Sequence, residues 1–207
     1  MSSMTDAPTL EEYVIVHLSI EDFGRRMRGL ARGLWNGSID RTTFIDSMLL
    51  AIERGFEQAW TEGARSEGVE PSERTDTEAT ELNRMIFNQA PHLPGLATWI
   101  IDHSKAEDFK LGMIVNRMAI WTNRYNEVLN MAKLLAGEDF KEVWRLGPTE
   151  HCSSCLKLDG QTKRKSRWIA AGVRPQHPDL ECGGFHCQCS LTRTNFPATQ
   201  GPIPRIP

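Results

Sequence analysis

The sequence lacks the features that direct a protein out of the cell or into a membrane. Its N-terminus, MSSMTDAPTLEEY, has neither the cationic start nor the apolar core of a signal peptide. No apolar run approaches the ~20 residues that a bilayer-spanning helix needs. We therefore expect a protein that stays in the cytoplasm of the cell that makes it and has no membrane partner.

Sequence motifs typical of enzymes are also missing. There is no glycine-rich loop that would hold a phosphate and no paired-carboxylate motif. A Cys152–His151 nucleophile pair is conceivable, but residues adjacent in sequence are seldom the reacting pair. The sequence therefore favours a protein that is not an enzyme. Four isolated histidines are interpreted as surface or capping residues: His17, His92, His103 and His177.

Cysteine is absent from the first 150 residues, and all five cysteines lie near the C-terminal end. In a reducing compartment such clustering indicates metal binding before disulfides, although buried thiols or disulfides remain alternatives. Cys152 and Cys155 have the spacing of a zinc knuckle, and Cys187 and Cys189 would face the same side of a strand. The sequence predicts a structural zinc ion bound by Cys152, Cys155, Cys187 and Cys189. Cys182 and His186 are alternate ligands. Cys182 is an alternate because the following Gly183-Gly184 pair could form a tight turn.

Charge divides the chain into two parts. The net charge is −3, yet residues 141–207 carry ten Lys and Arg against five Asp and Glu. This basic part includes the run Lys163, Arg164, Lys165 and Arg167. A cationic surface of this kind would suit a polyanion such as DNA or an acidic protein surface; the alternative is an ordinary solvated face.

Apolar residues recur at steps of three and four over 13–34 and 111–135, which predicts long amphipathic helices. Their stripes would pack inside one bundle or, alternatively, dock on another subunit. Asp40 is a predicted N-cap of a helix over 40–64. We further predict a polar linker over 62–79, a helix near 77–89, one or two helical turns at 95–104 and an unbroken helix over 106–135.

A different pattern follows Gly137. The sequence predicts a strand at 140–146, a hairpin at 156–163 that turns at Asp159-Gly160, and a last strand at 187–193. Trp144, Trp168, Phe185 and Leu191 would form a small core around the metal. The predicted fold class is α+β, with a helical domain over 1–138, a cysteine-rich, zinc-stapled β-rich module over 139–194 and an extended proline-rich tail over 195–207.

One set of residues between 143 and 191 forms a recognisable pattern: Trp144, Cys152, Cys155, Leu158, Asp159, Gly160, Trp168, Pro175, Cys182, Gly183, Gly184, Cys187 and Cys189. With this pattern, the stretch resembles the C-terminal module of phage head morphogenesis proteins, the Mu F-like minor capsid family. The helical stretch 33–63 is similar to the helices that precede that module. Gln188 departs from the family, which often has Arg between the last two cysteines.

The resemblance implies a structural minor head protein, present in few copies in the virion or prohead and in the host cytoplasm during assembly. Its partner would be the phage portal or major capsid protein, and its role would lie in head assembly or DNA packaging. A zinc-dependent nucleic-acid-binding protein is the alternative, and a nuclease or toxin related to the module is a more remote one. Because eighteen residues follow Cys189, we expect no toxin domain there.

Overall fold

The computed structural model describes residues 20–106, 110–148, 150–184 and 187–206. The fold class is α+β, with a majority of helix and one small antiparallel sheet. No helix in these four ranges is both long and apolar enough to cross a membrane. The helices are α1 Ile20–Trp35, α2 Arg41–Ser66, α3 Asp76–Phe87, α4 Leu93–Ser104, α5 Leu111–Arg117, α6 Ala119–Leu135, α7 Ser153–Leu158 and α8 Lys165–Ala171. The strands are β1 Lys141–Arg145, β2 Thr162–Arg164 and β3 Ser190–Arg193, and short 3₁₀ turns occupy Pro71–Glu73 and Ala90–His92.

The apolar stripes of α1 and α6 face the interior of one helical bundle built around α2. Phe23 of α1 is fully buried and lies with its ring centroid 5.5 Å from that of Tyr125 on α6. Met27 and Val128 on the same stripes are fully buried as well. The stripes therefore pack against each other, as the first of the two alternatives predicts. Tyr13 and Val16, which extend the first stripe, lie outside the described residues.

Capping explains where several helices begin. The backbone N–H of Thr43 donates to Asp40 Oδ1 at 2.7 Å, which confirms the predicted N-cap of α2 and lowers the pKa of the Asp40 carboxyl. The predicted linker 62–79 is shorter than expected, because α2 continues to Ser66 and α3 begins at Asp76. Thr75 and Glu78 form a capping box at that start.

The predicted helix over 106–135 is interrupted. Helix α5 ends at Arg117, and α6 begins at Ala119. At the break, the N–H of Met118 is shared between the carbonyl oxygens of Ile114 and Val115, each at 3.2 Å. This bifurcated bonding tightens the last turn of α5, a change that hydrophobic periodicity does not reveal because Met118 is buried on the same stripe.

Strand β1 is the middle strand of the sheet and pairs antiparallel with both β2 and β3. The predicted hairpin at 156–163 is wrong: residues 156–158 belong to α7, and β2 pairs with β1 instead. Cys155 and Leu158 are three residues apart, so a helix places both side chains on one buried face. This burial favours α7 over the hairpin that the Asp159-Gly160 pair suggested. Gly160, at φ +73°, then provides the turn from α7 into β2.

Two further expectations for this region need correction. The last strand comprises only Ser190–Arg193, since the carbonyl oxygens of Cys187 and Cys189 accept hydrogen bonds from the side chain of Gln176. The cysteine-rich module also contains α7 and α8 beside its three short strands. It is therefore a mixed module rather than a β-rich one.

The proline-rich tail lies along β2. The N–H of Thr199 donates to the carbonyl oxygen of Thr162 at 2.9 Å, and Thr162 N–H donates back to Thr199 Oγ1 at 3.0 Å. Lys163 is buried and donates from Nζ to the carbonyl oxygens of Thr199 and Gly201. The tail thus covers an edge strand of its own module, where an unpaired edge would otherwise be open to other chains.

The module is joined to the helical bundle by buried charged groups. Lys165 Nζ donates to Glu67 Oε2 at 2.6 Å and to the carbonyl oxygens of Lys133 and Ala136, at the end of α6. Lys163 and Lys165 are therefore internal, contrary to the expectation of a continuous cationic surface. Of the basic run, Arg164 and Arg167 remain exposed.

The close contact of α2 and α6 depends on Gly63. A Cβ at this position would lie 2.4 Å from the carbonyl oxygen of Leu129 and 2.8 Å from Ala132 Cβ. We expect Gly63→Ala to lower the free energy of unfolding by about 1–3 kcal/mol, because the helices would have to separate. Gly29→Ala is the matched control, since Gly29 lies in α1 with no atom within 4 Å of an added Cβ. The control should be neutral or gain up to ~1 kcal/mol from helix propensity. Urea unfolding curves of the two variants would contradict this packing if they coincided.

Candidate metal centre

Helix α7 positions the first two cysteines. Cys152 is the residue that caps the helix, and Cys155 follows one turn later, which brings both thiols to the same side. The N–H of Ser153 donates to Glu181 Oε2 at 2.7 Å, and the N–H of Glu181 donates to Ser154 Oγ at 3.0 Å. This reciprocal pair fixes the start of α7 against the segment that carries Cys182.

The second cysteine segment begins with a tight turn. Gly183 and Gly184 have φ angles of +60° and +74°, and the Gly183 N–H bonds to the carbonyl oxygen of Leu180 at 2.6 Å. A Cβ on Gly184 would lie 2.2 Å from the carbonyl oxygen of Gln176. Only glycine fits there, and the turn brings Cys182 back towards Cys152.

Gln176 holds the other end of this segment. Its Nε2 donates to the carbonyl oxygen of Cys187 at 2.6 Å and to that of Cys189 at 3.1 Å, while its Oε1 accepts a short hydrogen bond from Asn130 on α6. Gln176 is 3% exposed and has φ +59°, which is uncommon for a residue with a side chain. The amide therefore links the helical bundle to the cysteine segment.

All five thiols converge on one place. The Sγ atoms of Cys152, Cys155 and Cys182 lie within 4.8 Å of one another, and so do those of Cys155, Cys187 and Cys189. Cys155 belongs to both groups. The five cysteines are unpaired, and the Sγ atoms of Cys155 and Cys187 are 3.9 Å apart. Two thiolates bound to one tetrahedral zinc at ~2.3 Å would be about 3.8 Å apart, so the spacing fits a shared ion.

The structure divides the four predicted ligands between the two groups: Cys152 lies with Cys155 and Cys182, which the sequence offered only as an alternate, and Cys187 and Cys189 lie with Cys155. His186, the other alternate, lies outside the described residues. His151 is a neighbour that sequence reasoning did not consider as a ligand: its Nδ1 lies 3.9 Å from Cys189 Sγ. The position of His151 next to Cys152 suggested a place near the metal centre. Only the fold shows that His151 faces Cys189, in the second cysteine segment.

The cluster distributes its protons unevenly. Hydrogen bonds from the thiols of Cys155 and Cys187 lower the pKa of Cys189 to about 3, and the Gly147 N–H acts in the same direction. The pKa of Cys155 is raised because its thiol donates to Cys187 and Cys189. Burial raises the pKa of Cys182 to about 11. A bound cation would displace the protons that these thiols share.

A hydrophobic core surrounds the thiols. Trp144 and Trp168 are fully buried with ring centroids 5.9 Å apart, and Leu158 and Leu180 pack with them. Leu191 is partly buried against the same core, as predicted, whereas Phe185 lies outside the described residues. Thiolate ligands in such a setting suit soft or borderline ions, and they outnumber the four that a closed tetrahedral site requires. The group could hold a metal ion.

Comparison with known proteins gives no relative: no protein-family model, no curated protein and no solved structure matches the chain.

Gln176 gives a test of how the second cysteine segment is positioned. We expect Gln176→Ala to weaken retention of a metal ion by about 10–100-fold, since residues that orient ligands have effects of this size. Gln188→Ala is the matched control, because Gln188 is exposed between the same two cysteines. Competition with a chromogenic chelator, with zinc as the probe ion, measures the difference. Equal retention in the two variants would show that the Gln176 amide does not position the thiols.

Proposed function

We propose that the cysteine centre binds one structural zinc ion and that the chain is a minor head protein of a phage, not an enzyme. The observation that carries the zinc proposal is the convergence of five reduced thiols from two distant segments around Cys155. The head-protein proposal is supported by the resemblance over 143–191, whose cysteines are the ones that converge.

Zinc is favoured over other ions by the donor set and the surroundings. Zinc takes four thiolates in tetrahedral structural sites, has no redox chemistry and contributes its binding free energy to folding. The module has a small core, so a metal that links α7 to the segment after Gln176 would stabilise it substantially. The proposed ligands are Cys152, Cys155, Cys187 and Cys189. Cys182 remains the alternate.

The zinc proposal makes a prediction that separates ligands from neighbours. Protein purified without chelator should contain about one zinc ion per chain by elemental analysis. Cys155→Ser should lose most of this zinc and unfold the module, because Cys155 is common to both thiol groups. Cys182→Ser is the matched control and should keep the ion.

Two results would contradict the zinc proposal in different ways. If Cys182→Ser loses zinc as completely as Cys155→Ser, the proposed ligand set is wrong. If the unmodified chain holds no metal and all five thiols react freely with a thiol reagent, no zinc centre exists.

A structural role in the phage head accounts for the arrangement of the module. The metal centre and the tail on β2 would hold the module together, and the buried Lys165 fixes it to the helical bundle. A rigid module suits a component that contacts the portal or major capsid protein within a symmetric particle. Contact with DNA would rest on exposed cations such as Arg164 and Arg167, because Lys163 and Lys165 are occupied internally.

We expect deletion of the protein to leave the major capsid protein expressed but to reduce DNA-filled, infectious heads. Quantitative proteomics of purified proheads and virions should find the protein in few copies. Complementation with the unmodified chain should restore the infectious yield, whereas Cys155→Ser should restore it only in part. Absence of the protein from both particles, together with an unchanged yield on deletion, would make the head-protein proposal wrong while leaving the zinc result intact.

A further inference from the structure

A second candidate site lies away from the thiols, in a cavity of about 790 Å³ between the helical bundle and residues 174–179. Its walls come from the end of α3, the start of α4, the break between α5 and α6, and the segment after α8. The volume is within the range of pockets that hold small organic ligands, roughly 300–1,000 Å³. We call it the arginine cavity after the lining residues Arg84, Arg117, Arg124 and Arg174.

The arginine cavity carries more positive charge than its carboxylates balance. Arg124 and Arg174 share the single carboxylate of Glu127, at 2.5 and 2.7 Å. One positive charge of this trio is therefore uncompensated. Arg117 adds another, since it has no ion pair with any residue that the structure describes and stacks on the Trp99 ring at 4.4 Å.

The remaining charged groups of the wall do not cancel this excess. Arg84 is paired bidentately with Glu81. Asp179 is 70% exposed at its side chain and lies 3.6 Å from His177. Burial, with Arg174 as the next cause, lowers the pKa of His177.

Two buried donors on the cavity wall have no acceptor. Trp121 is 5% exposed and Arg174 is 8% exposed, and both line the cavity. Neither Trp121 Nε1 nor Arg174 Nε has a hydrogen-bond partner among the described residues. Both nitrogen atoms are themselves buried, so a ligand in the cavity would contact the accessible parts of these side chains and not these two atoms.

Part of the remaining wall is apolar, beside the polar residues Asn88, Gln89 and His92. Met85, Leu96 and Ile120 line the cavity beside the Trp121 ring. Guanidinium groups recognise phosphate oxygens through paired N–H donors, and an apolar wall accepts a flat or hydrophobic group. We propose that the arginine cavity binds a small organic phosphate, with the phosphate on Arg117 and Arg174 and the organic part on the apolar wall. This proposal goes beyond the head-protein function and does not depend on it.

Calorimetric titration of the full chain with adenosine monophosphate, at low ionic strength, tests the proposal. Adenosine monophosphate should bind and raise the melting temperature, and adenosine should do neither. Arg117→Gln should weaken binding by about tenfold or more, because a charge-assisted hydrogen bond is lost. Arg54→Gln, an exposed arginine on α2 outside the cavity, should bind as the unmodified chain does.

Several outcomes would overturn the proposal. No binding of adenosine monophosphate, or equal binding by Arg117→Gln and the unmodified chain, would show that the cavity does not recognise phosphate. Inorganic phosphate binding as tightly as the nucleotide would remove the role of the apolar wall. Succinate binding as tightly would show recognition of carboxylates instead. Displacement of the nucleotide by a single-stranded oligonucleotide of much higher affinity would assign the cavity to nucleic acid.

Discussion

Two sets of three cysteines share Cys155, and this shared position is the constraint on which the module depends. Cys155 comes from α7, one turn after the helix begins, and it contacts thiols from both ends of the second cysteine segment. For this to happen, the chain must turn at Gly183-Gly184 and be held at Gln176. The small core of Trp144 and Trp168 then closes around the thiols. The glycine turn, the Gln176 contacts and the tryptophan core therefore all serve to bring the thiols together at Cys155.

Buried polar side chains bond the cysteine-rich module to the helical bundle. Gln176 accepts from Asn130 on α6 and donates to the cysteine segment, Lys165 binds the carbonyl oxygens at the end of α6, and Arg174 pairs with Glu127. Removing one partner of such a buried contact is costly, because the other group remains desolvated. The orientation of the module on the bundle is thus set by directional bonds, which specify geometry more narrowly than apolar contact does. The same junction creates the arginine cavity, whose Arg174 comes from the module and whose Trp121 comes from the bundle.

Much of the fold follows from patterns within single elements. The stripe of α1, the Asp40 cap and the first strand are local features, and the structure confirms them. The break at Met118 and the replacement of a hairpin by α7 were not predictable in this way. In both places a short-range signal competed with burial: Met118 stays on the buried stripe through the break, and Cys155 and Leu158 gain more from a helical face than from a strand.

The sequence by itself determined that cysteines able to bind a metal cluster in two segments near the C-terminal end, because their number and spacing are visible in the sequence alone. Only the tertiary structure decided that Cys182 joins the group and that His151 faces Cys189, since these contacts join residues about thirty to forty positions apart.

The tertiary structure also decided which cations are exposed. A run of four cations looks like one surface in the sequence, but Lys163 and Lys165 alternate inward from an edge strand and a helix start, where backbone carbonyl oxygens require donors. Which cations face solvent depends on the acceptors that folding brings to them.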